Sequence, residues 1–351
     1  MLNRAVPDPA AVSHGVWSVG LPFPNPLGFA FSYSVRVPDG VVAVDIGWDS
    51  DECWDAFVKG LSRAGACLDD LVGVVVTHVH PDHYGLAERI RESTGAWIAL
   101  HPAERPQIAA VEHDRAQHIE RMAQWLRRCG APESEFEELR ADAADIQSRI
   151  SMIQPDHELV DGQAVPGTRG TMRAVHTPGH TPGHLCFHDS ERNLLFTGDH
   201  ILPWVTPNIS KLPTSDVDPL ADFIGSIDKV RAFSDALVLP GHEWVFDRLD
   251  DRVDSLVSHH GERLTQMETA VRDGASTVWE VAQTVGWSRP FDSLRERARR
   301  SALGETYSHL YHLAVLGRLS CADGETELWL PVEPRSDQVS MTAPGSSADV
   351  T

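Results

Sequence analysis

The sequence predicts an α/β domain followed by a small helical domain, and three observations carry that expectation. Short apolar, β-branched runs alternate with helical spacing through about the first 250 residues. Four of those runs end in His or Asp beside a Gly or Pro. From Leu256 onward long helical patterns take over. A chain of 351 residues accommodates one large domain and a smaller one.

Val16 to Val19 reads as a strand closed by Gly20. Leu21 to Gly28 is too proline-dense for a regular element and is expected to form an apolar, ligand-facing rim. Phe29 to Val37 alternates as a strand, Pro38-Asp39-Gly40 is a turn, and Val41 to Val44 is a buried strand ending at Asp45. Asp51 to Ala64 is helical, with Trp54, Phe57, Val58 and Leu61 on one face. Leu71 to Val76 is a further buried strand, followed by Thr77-His78-Val79-His80-Pro81-Asp82-His83, where Pro81 stops it. A helix is expected from His83 to Glu92 and a strand from Ala96 to Leu100.

Residues 101–150 read as a helical insertion, broken at Pro132, that covers a site or a partner surface. A hairpin bracketed by Asp161-Gly162 and Pro166-Gly167 comes next. Strands at Met172–Val175, Leu185–His188, Asn193–Thr197 and Leu237–Leu239 complete the first domain. The expected division is 1–250 for the catalytic domain, 251–331 for three helices and a hairpin in a winged-helix-like arrangement, and 332–351 for a disordered tail.

The formal net charge of −21 argues against general binding to nucleic acid or anionic lipid. Five cysteines without a CxxC pair argue against a disulfide framework and fit a reducing cytoplasm. Met1 to Ala11 lacks the apolar core of a signal peptide, and no apolar run is long enough to span a bilayer. The expected protein is soluble and cytoplasmic, acts on a small molecule, and has no membrane or nucleic-acid partner; a homo-oligomer is compatible with the sequence.

The strand ends carry the chemistry. His78, His80, Asp82 and His83 follow one strand, His180 lies after the next, and Asp199 and His242 close two more. In an α/β domain such ends gather at one sheet edge. Seven nitrogen and oxygen donors exceed one tetrahedral ion and suit two ions sharing a carboxylate, with a solvent oxygen between them. Such donors suit zinc, and also iron or manganese.

These elements, in this order, resemble the metallo-β-lactamase superfamily over roughly residues 15–245: Asp45 after its strand, His78-x-His80-x-Asp82-His83, His180 within Thr177-Pro178-Gly179-His180-Thr181-Pro182-Gly183-His184, Thr197-Gly198-Asp199 and Pro240-Gly241-His242. The resemblance implies an αββα sandwich and two zinc ions per chain. It implies His78, His80 and His180 on one metal, Asp82, His83 and His242 on the other, Asp199 bridging, and Asp45 in support. The nearest subgroup is the hydroxyacylglutathione-hydrolase-like proteins, some of which carry a small winged-helix-like domain. After Asp199, however, the chain reads His200-Ile201-Leu202-Pro203-Trp204, without the Cys-Gly-Arg/Lys-Phe pattern of glyoxalase II. A glutathione thioester is therefore not the expected substrate.

Around the ligands, His176, His184 and His200 are expected to pack against the site or support it. Tyr84 is a candidate oxyanion donor or a packing residue, and Trp204, Phe23 and Phe29 are candidates for an apolar pocket or the core. The expected reaction is hydrolysis of a thioester or ester, or of a lactone, by a hydroxide shared between two cations and oriented by Asp82, the expected catalytic residue. No Gly-x-Ser-x-Gly elbow competes with it. The rival readings are a phosphodiesterase or endoribonuclease, a one-iron sulfur dioxygenase and a non-enzymatic winged-helix DNA-binding regulator. Removal of the chain from about Asp251 is expected to leave metal content unchanged.

Overall fold

The computed structural model of the protein describes residues 5–24, 27–113, 115–137, 139, 152–211 and 217–333. Strands β1 (Ala10–Ser13), β2 (Val16–Pro22), β3 (Phe29–Val37) and β4 (Gly40–Val44) form an antiparallel meander. Helix α1 (Asp51–Arg63) follows, capped by Ser50, whose hydroxyl accepts from the Cys53 amide. Strand β5 (Leu71–Val75) joins β4 in parallel, and the helices α2 (Pro81–Tyr84) and α3 (Ala87–Thr94) come next. Strands β6 (Trp97–Leu100) and β7 (His157–Glu158) complete a seven-stranded sheet in chain order, with α4 (Arg105–His113) and α5 (Arg115–Arg128) between them.

The second sheet has four strands: β8 (Met172–His176), β9 (Leu185–Asp189), β10 (Leu194–Gly198) and β11 (Leu237–Pro240), with α6 (Pro219–Lys229) crossing from β10 to the parallel β11. Three helices end the fold, α7 (Leu249–Arg272), α8 (Val278–Thr284) and α9 (Glu296–Val315), with the hairpin β12 (Leu319–Ala322) and β13 (Leu328–Pro331).

Strand alternation decides the layering. Val42, Val44 and Val75 meet Ala174, Phe187 and Phe196 between the sheets. Val41, Ala43 and Val74 turn outward onto Phe57, Leu61 and Ile90 of α1 and α3. On the far side, Val175, Leu195 and Val238 share one apolar cluster with Phe223 of α6, Leu256 of α7, Leu303 of α9 and Trp329 of β13. The result is helix, sheet, sheet, helix: an αββα sandwich whose second helical layer includes the C-terminal helices.

Several element bounds differ from the sequence expectation. Strand β2 continues through Gly20 to Pro22, paired with Phe29. Gly20 is required by a close approach rather than a turn, because a Cβ there would collide with Pro7. The helix expected from His83 to Glu92 is two helices, and the Leu86 amide between them donates to the Gly47 carbonyl. Helix α6 was not expected, although Asp218 caps it and Pro219 opens it. The second half of the 101–150 insertion, from 140, and the tail from 334 lie outside the described residues. Among the described residues, no helix is long and apolar enough to cross a membrane.

On α9, burial pushes the Glu305 carboxyl up from its ordinary 4.5 to about 7, against the pull of Arg263 and an Asn208 hydrogen bond. Between those values the folded chain keeps a proton that the unfolded chain has lost. Stability from this group therefore falls as pH rises from about 4.5 to about 7. Glu305→Gln is expected to remove that fall, on the order of 3 kcal/mol at full shift. Thermal unfolding at pH 5 and pH 8 checks it: the variant should gain on the wild type at the higher pH.

Candidate metal centre

The site is built on strand ends. Asp45, at the end of β4, adopts a left-handed conformation with φ 56°, uncommon for a residue with a side chain. Its buried carboxylate accepts from the Thr77 amide at 2.7 Å, the Thr77 hydroxyl at 2.8 Å and His83 Nδ1 at 2.8 Å. One carboxylate thus ties both ends of the 77–83 segment, with Pro81 opening the short α2 between them.

Four histidines share one arrangement: each Nδ1 is held by an oxygen and each Nε2 turns toward the neighbouring donors. His78 Nδ1 meets the Thr77 hydroxyl at 3.0 Å, and His83 Nδ1 the Asp45 carboxylate. His180 Nδ1 donates to the Asn208 carbonyl at 2.8 Å, and His242 Nδ1 to the Phe29 carbonyl at 2.8 Å. A carbonyl or an ionised carboxylate only accepts, so Nδ1 of His83, His180 and His242 carries the proton when the ring is neutral. Nε2 is then a lone pair. This is the orientation that metal-binding imidazoles receive from an outer hydrogen-bond partner.

The structure brings all seven expected donors together. His78, His80 and His180 form one group, Asp82, His83 and His242 a second, and His78, His83 and Asp199 a third; within each, the donor atoms lie within 4.8 Å of one another. His80 Nδ1 is 2.9 Å from His78 Nε2 and 3.0 Å from His180 Nε2. Asp82 is 3.2 Å from His242 Nε2. Asp199 reaches toward both sides, 3.4 Å from His242 Nε2, 3.5 Å from His83 Nε2 and 3.8 Å from His180 Nε2.

Electrostatics divides the cluster in two. Burial, helped by the neighbouring imidazoles, holds His78 well below its ordinary value and His80 down to about 3. His180 is also lowered, chiefly by burial. Burial opposes charge on His83 and His242 as well, but there Asp199 and Asp82 outweigh it, raising His83 strongly and His242 to about 10. For Asp82 and Asp199 burial favours the acid, yet these same imidazoles hold both below the usual carboxylate range. Buried His83 Nε2 and Asp199 Oδ1 have no hydrogen-bond partner among the described residues. Imidazoles and carboxylates converging this closely fit a divalent cation, which would take the place of the protons that Asp82 and Asp199 hold on His83 and His242 and satisfy those atoms at once.

The remaining candidates are placed around this cluster. His184 is buried behind it, its ring 5.2 Å from that of His78 and its Nδ1 2.9 Å from the Thr177 hydroxyl. His200 is buried one layer further back, 5.6 Å from His184. His176 stacks on His101 at 4.0 Å, away from the donors. Tyr84 donates to the Ile153 carbonyl at 2.6 Å and sits in the apolar cluster under the first sheet. Phe29 packs between the sheets. The Phe23 ring lies 6.4 Å from His242 and 5.5 Å from Trp48, while Trp204 is 72% exposed.

Sequence reasoning missed two carboxylates. Glu104 is fully buried and accepts from the Val79 amide at 2.9 Å and the Gly183 amide at 2.6 Å. It joins the loop of His78 and His80 to the loop of His180. The signal was available, since Glu104 lies just past β6, at another strand end. Glu243 follows His242 with φ 77° and accepts from the Trp204 and Val205 amides. Arg252 of α7 donates to the Leu202, Trp204 and Val205 carbonyls. The exposed Trp204 therefore stands on a braced loop.

Comparison with known proteins agrees with this architecture. The model of the metallo-beta-lactamase superfamily matches residues 25–242. A metallo-beta-lactamase family protein of Thermus thermophilus superposes with a TM-score of 0.77 at 26% identity, covering 92% of this chain and all of that one. Bovine acyl-coenzyme A thioesterase MBLAC2 is 30% identical over 197 residues, 53% of this chain and 62% of its own length. The atrochrysone carboxyl ACP thioesterase AgnL7 of Paecilomyces divaricatus is 28% identical over 177 residues, 47% of this chain and 54% of its own. The chain spans about half the length of the curated relatives it matches. With the αββα sandwich and the histidine and aspartate clusters at its strand ends, the chain belongs to the metallo-beta-lactamase superfamily.

Proposed function

We propose that the chain is a metal-dependent hydrolase of thioesters or esters with an apolar acyl group. The observation that carries the reading is the convergence of four anchored imidazoles and two ionised carboxylates in one cleft. His78, His80 and His180 would hold one cation and Asp82, His83 and His242 a second, with Asp199 between them; the donor set suits zinc, and also iron or manganese. Cations held there would lower the pKa of water toward about 7 and polarise a carbonyl.

The chain's own residues do the rest. Asp45, Asn208 and the Phe29 carbonyl keep the imidazoles oriented. Asp82 stays ionised beside His242, where its carboxylate accepts a hydrogen bond from the attacking water and orients it. Phe23 lies beside His242 and Trp48 beside Phe23, and we assign them to an apolar rim that seats the acyl group, together with the exposed Trp204, whose backbone amide is held by Glu243 next to His242. Two of the relatives are named as thioesterases, of acyl-coenzyme A and of an acyl carrier protein, which supports thioesters first. Within the superfamily we read the chain as hydroxyacylglutathione-hydrolase-like, with residues 251–331 as a winged-helix-like C-terminal domain. All five cysteines are free, which fits a reducing compartment such as the cytoplasm.

Metal content, measured on the same preparation as a panel of acyl-CoA thioesters, aryl esters, lactones, nitrocefin and an RNA oligomer, tests the reading. Thioester or ester turnover with two metals per chain supports it. Turnover of RNA alone, or one iron per chain, overturns it. Trp204→Ala is expected to raise KM about tenfold for long-chain or aromatic acyl thioesters while leaving acetyl thioesters near wild type, on the scale of one buried aromatic contact.

A further inference from the structure

We propose that helix α9 is a positioning element for His180, acting through Asn208. This rests on the metal reading above and reverses the expectation that the chain beyond Asp251 is dispensable for metal binding. Asn208 gives its backbone carbonyl to His180 Nδ1 at 2.8 Å, and its side chain is fixed by the helix. Its Nδ2 donates to the Ser301 carbonyl at 3.2 Å, and it hydrogen-bonds the Glu305 carboxyl. The Ser210 hydroxyl donates to its Oδ1 at 2.5 Å. The Lys211 amide donates to the Gly304 carbonyl at 3.3 Å, and Lys211 Nζ lies 3.8 Å from the centre of the Tyr311 ring.

Gly304 makes the fit possible, because a Cβ there would overlap Ser210 Oγ. Residues 208–211 are thus held to α9 at four positions along it, 301, 304, 305 and 311. They meet the donor cluster through the Asn208 carbonyl, which sets the His180 tautomer. A cavity of about 350 Å³ opens at the same place, lined by His80, His180, Gln107, Asn208, Lys211 and Ser301. Helix α9 therefore meets both the orientation of one donor and the space in front of it.

The test is binding of Zn²⁺ and Co²⁺ alone to the metal-stripped full chain, by chelator competition and by the Co²⁺ visible spectrum. Asn208→Ala and Gly304→Ala are expected to weaken one of two metal equivalents about tenfold or more and to change its Co²⁺ band. Alanine favours a helix over glycine, so Gly304→Ala should not unfold α9. Ser210→Gly added to Gly304→Ala makes room and should recover part of the loss. Trp329→Leu, which disturbs the C-terminal packing elsewhere, should leave metal affinity unchanged. Wild-type affinity in both Asn208→Ala and Gly304→Ala, or an equal loss in Trp329→Leu, overturns the inference. Failure of the wild type to bind either ion would instead overturn the reading of the centre itself.

Discussion

Asp82→Ala and His180→Ala are each expected to lower kcat/KM for the best ester or thioester substrate by at least about a thousandfold. Each removes a donor from a different group and strips charge stabilisation from a cluster of largely buried side chains. The fold should survive, because both side chains meet the cleft rather than the apolar clusters. Asp82→Ala also frees His83 and His242 from a neighbouring negative charge, lowering their affinity for protons. Circular dichroism, metal content and turnover on the same samples separate the effects. Unchanged turnover in both variants would end the two-metal reading.

Glu104→Ala carries the second large effect, and it is a residue outside the donor cluster. The carboxylate is fully buried and bridges the Val79 and Gly183 amides. Burial pushes its pKa up, while the two amides and the Thr181 hydroxyl favour the ionised form. Removing it leaves two buried N–H groups without an acceptor, at about 1–3 kcal/mol each. It also unties the loop of His78 and His80 from that of His180. We expect a loss of stability of about 3 kcal/mol and a loss of metal affinity of about tenfold to a hundredfold. Denaturant unfolding of the metal-stripped chain and chelator competition measure the two separately. A stability loss with metal affinity intact would show that Glu104 is a core residue only.

The sequence was most legible where one residue type has one physical meaning. Strand β3 falls on Phe29–Val37 as its alternation requires, and α1 begins at Asp51 behind a serine cap. The donors were legible because imidazoles and carboxylates at four apolar strand ends have few other uses. What escaped were residues that act through the backbone. Asn208 serves the site with a carbonyl, which every residue possesses, so its side chain gives no sign of it. Glu104 binds amides, and its value depends on two loops far apart in the chain meeting in space. Gly20 read as a terminator because the approach of Pro7 is a tertiary fact.

The Asp45 carboxylate sets a length. Thr77 and His83 are both moored to it, so the residues between them span a fixed arc. An insertion or deletion inside that arc would swing two imidazoles and a carboxylate at once. The spacing of the motif is therefore a chord drawn between two moorings on a single side chain. Variation in substrate has to be accommodated elsewhere, in segments outside this arc.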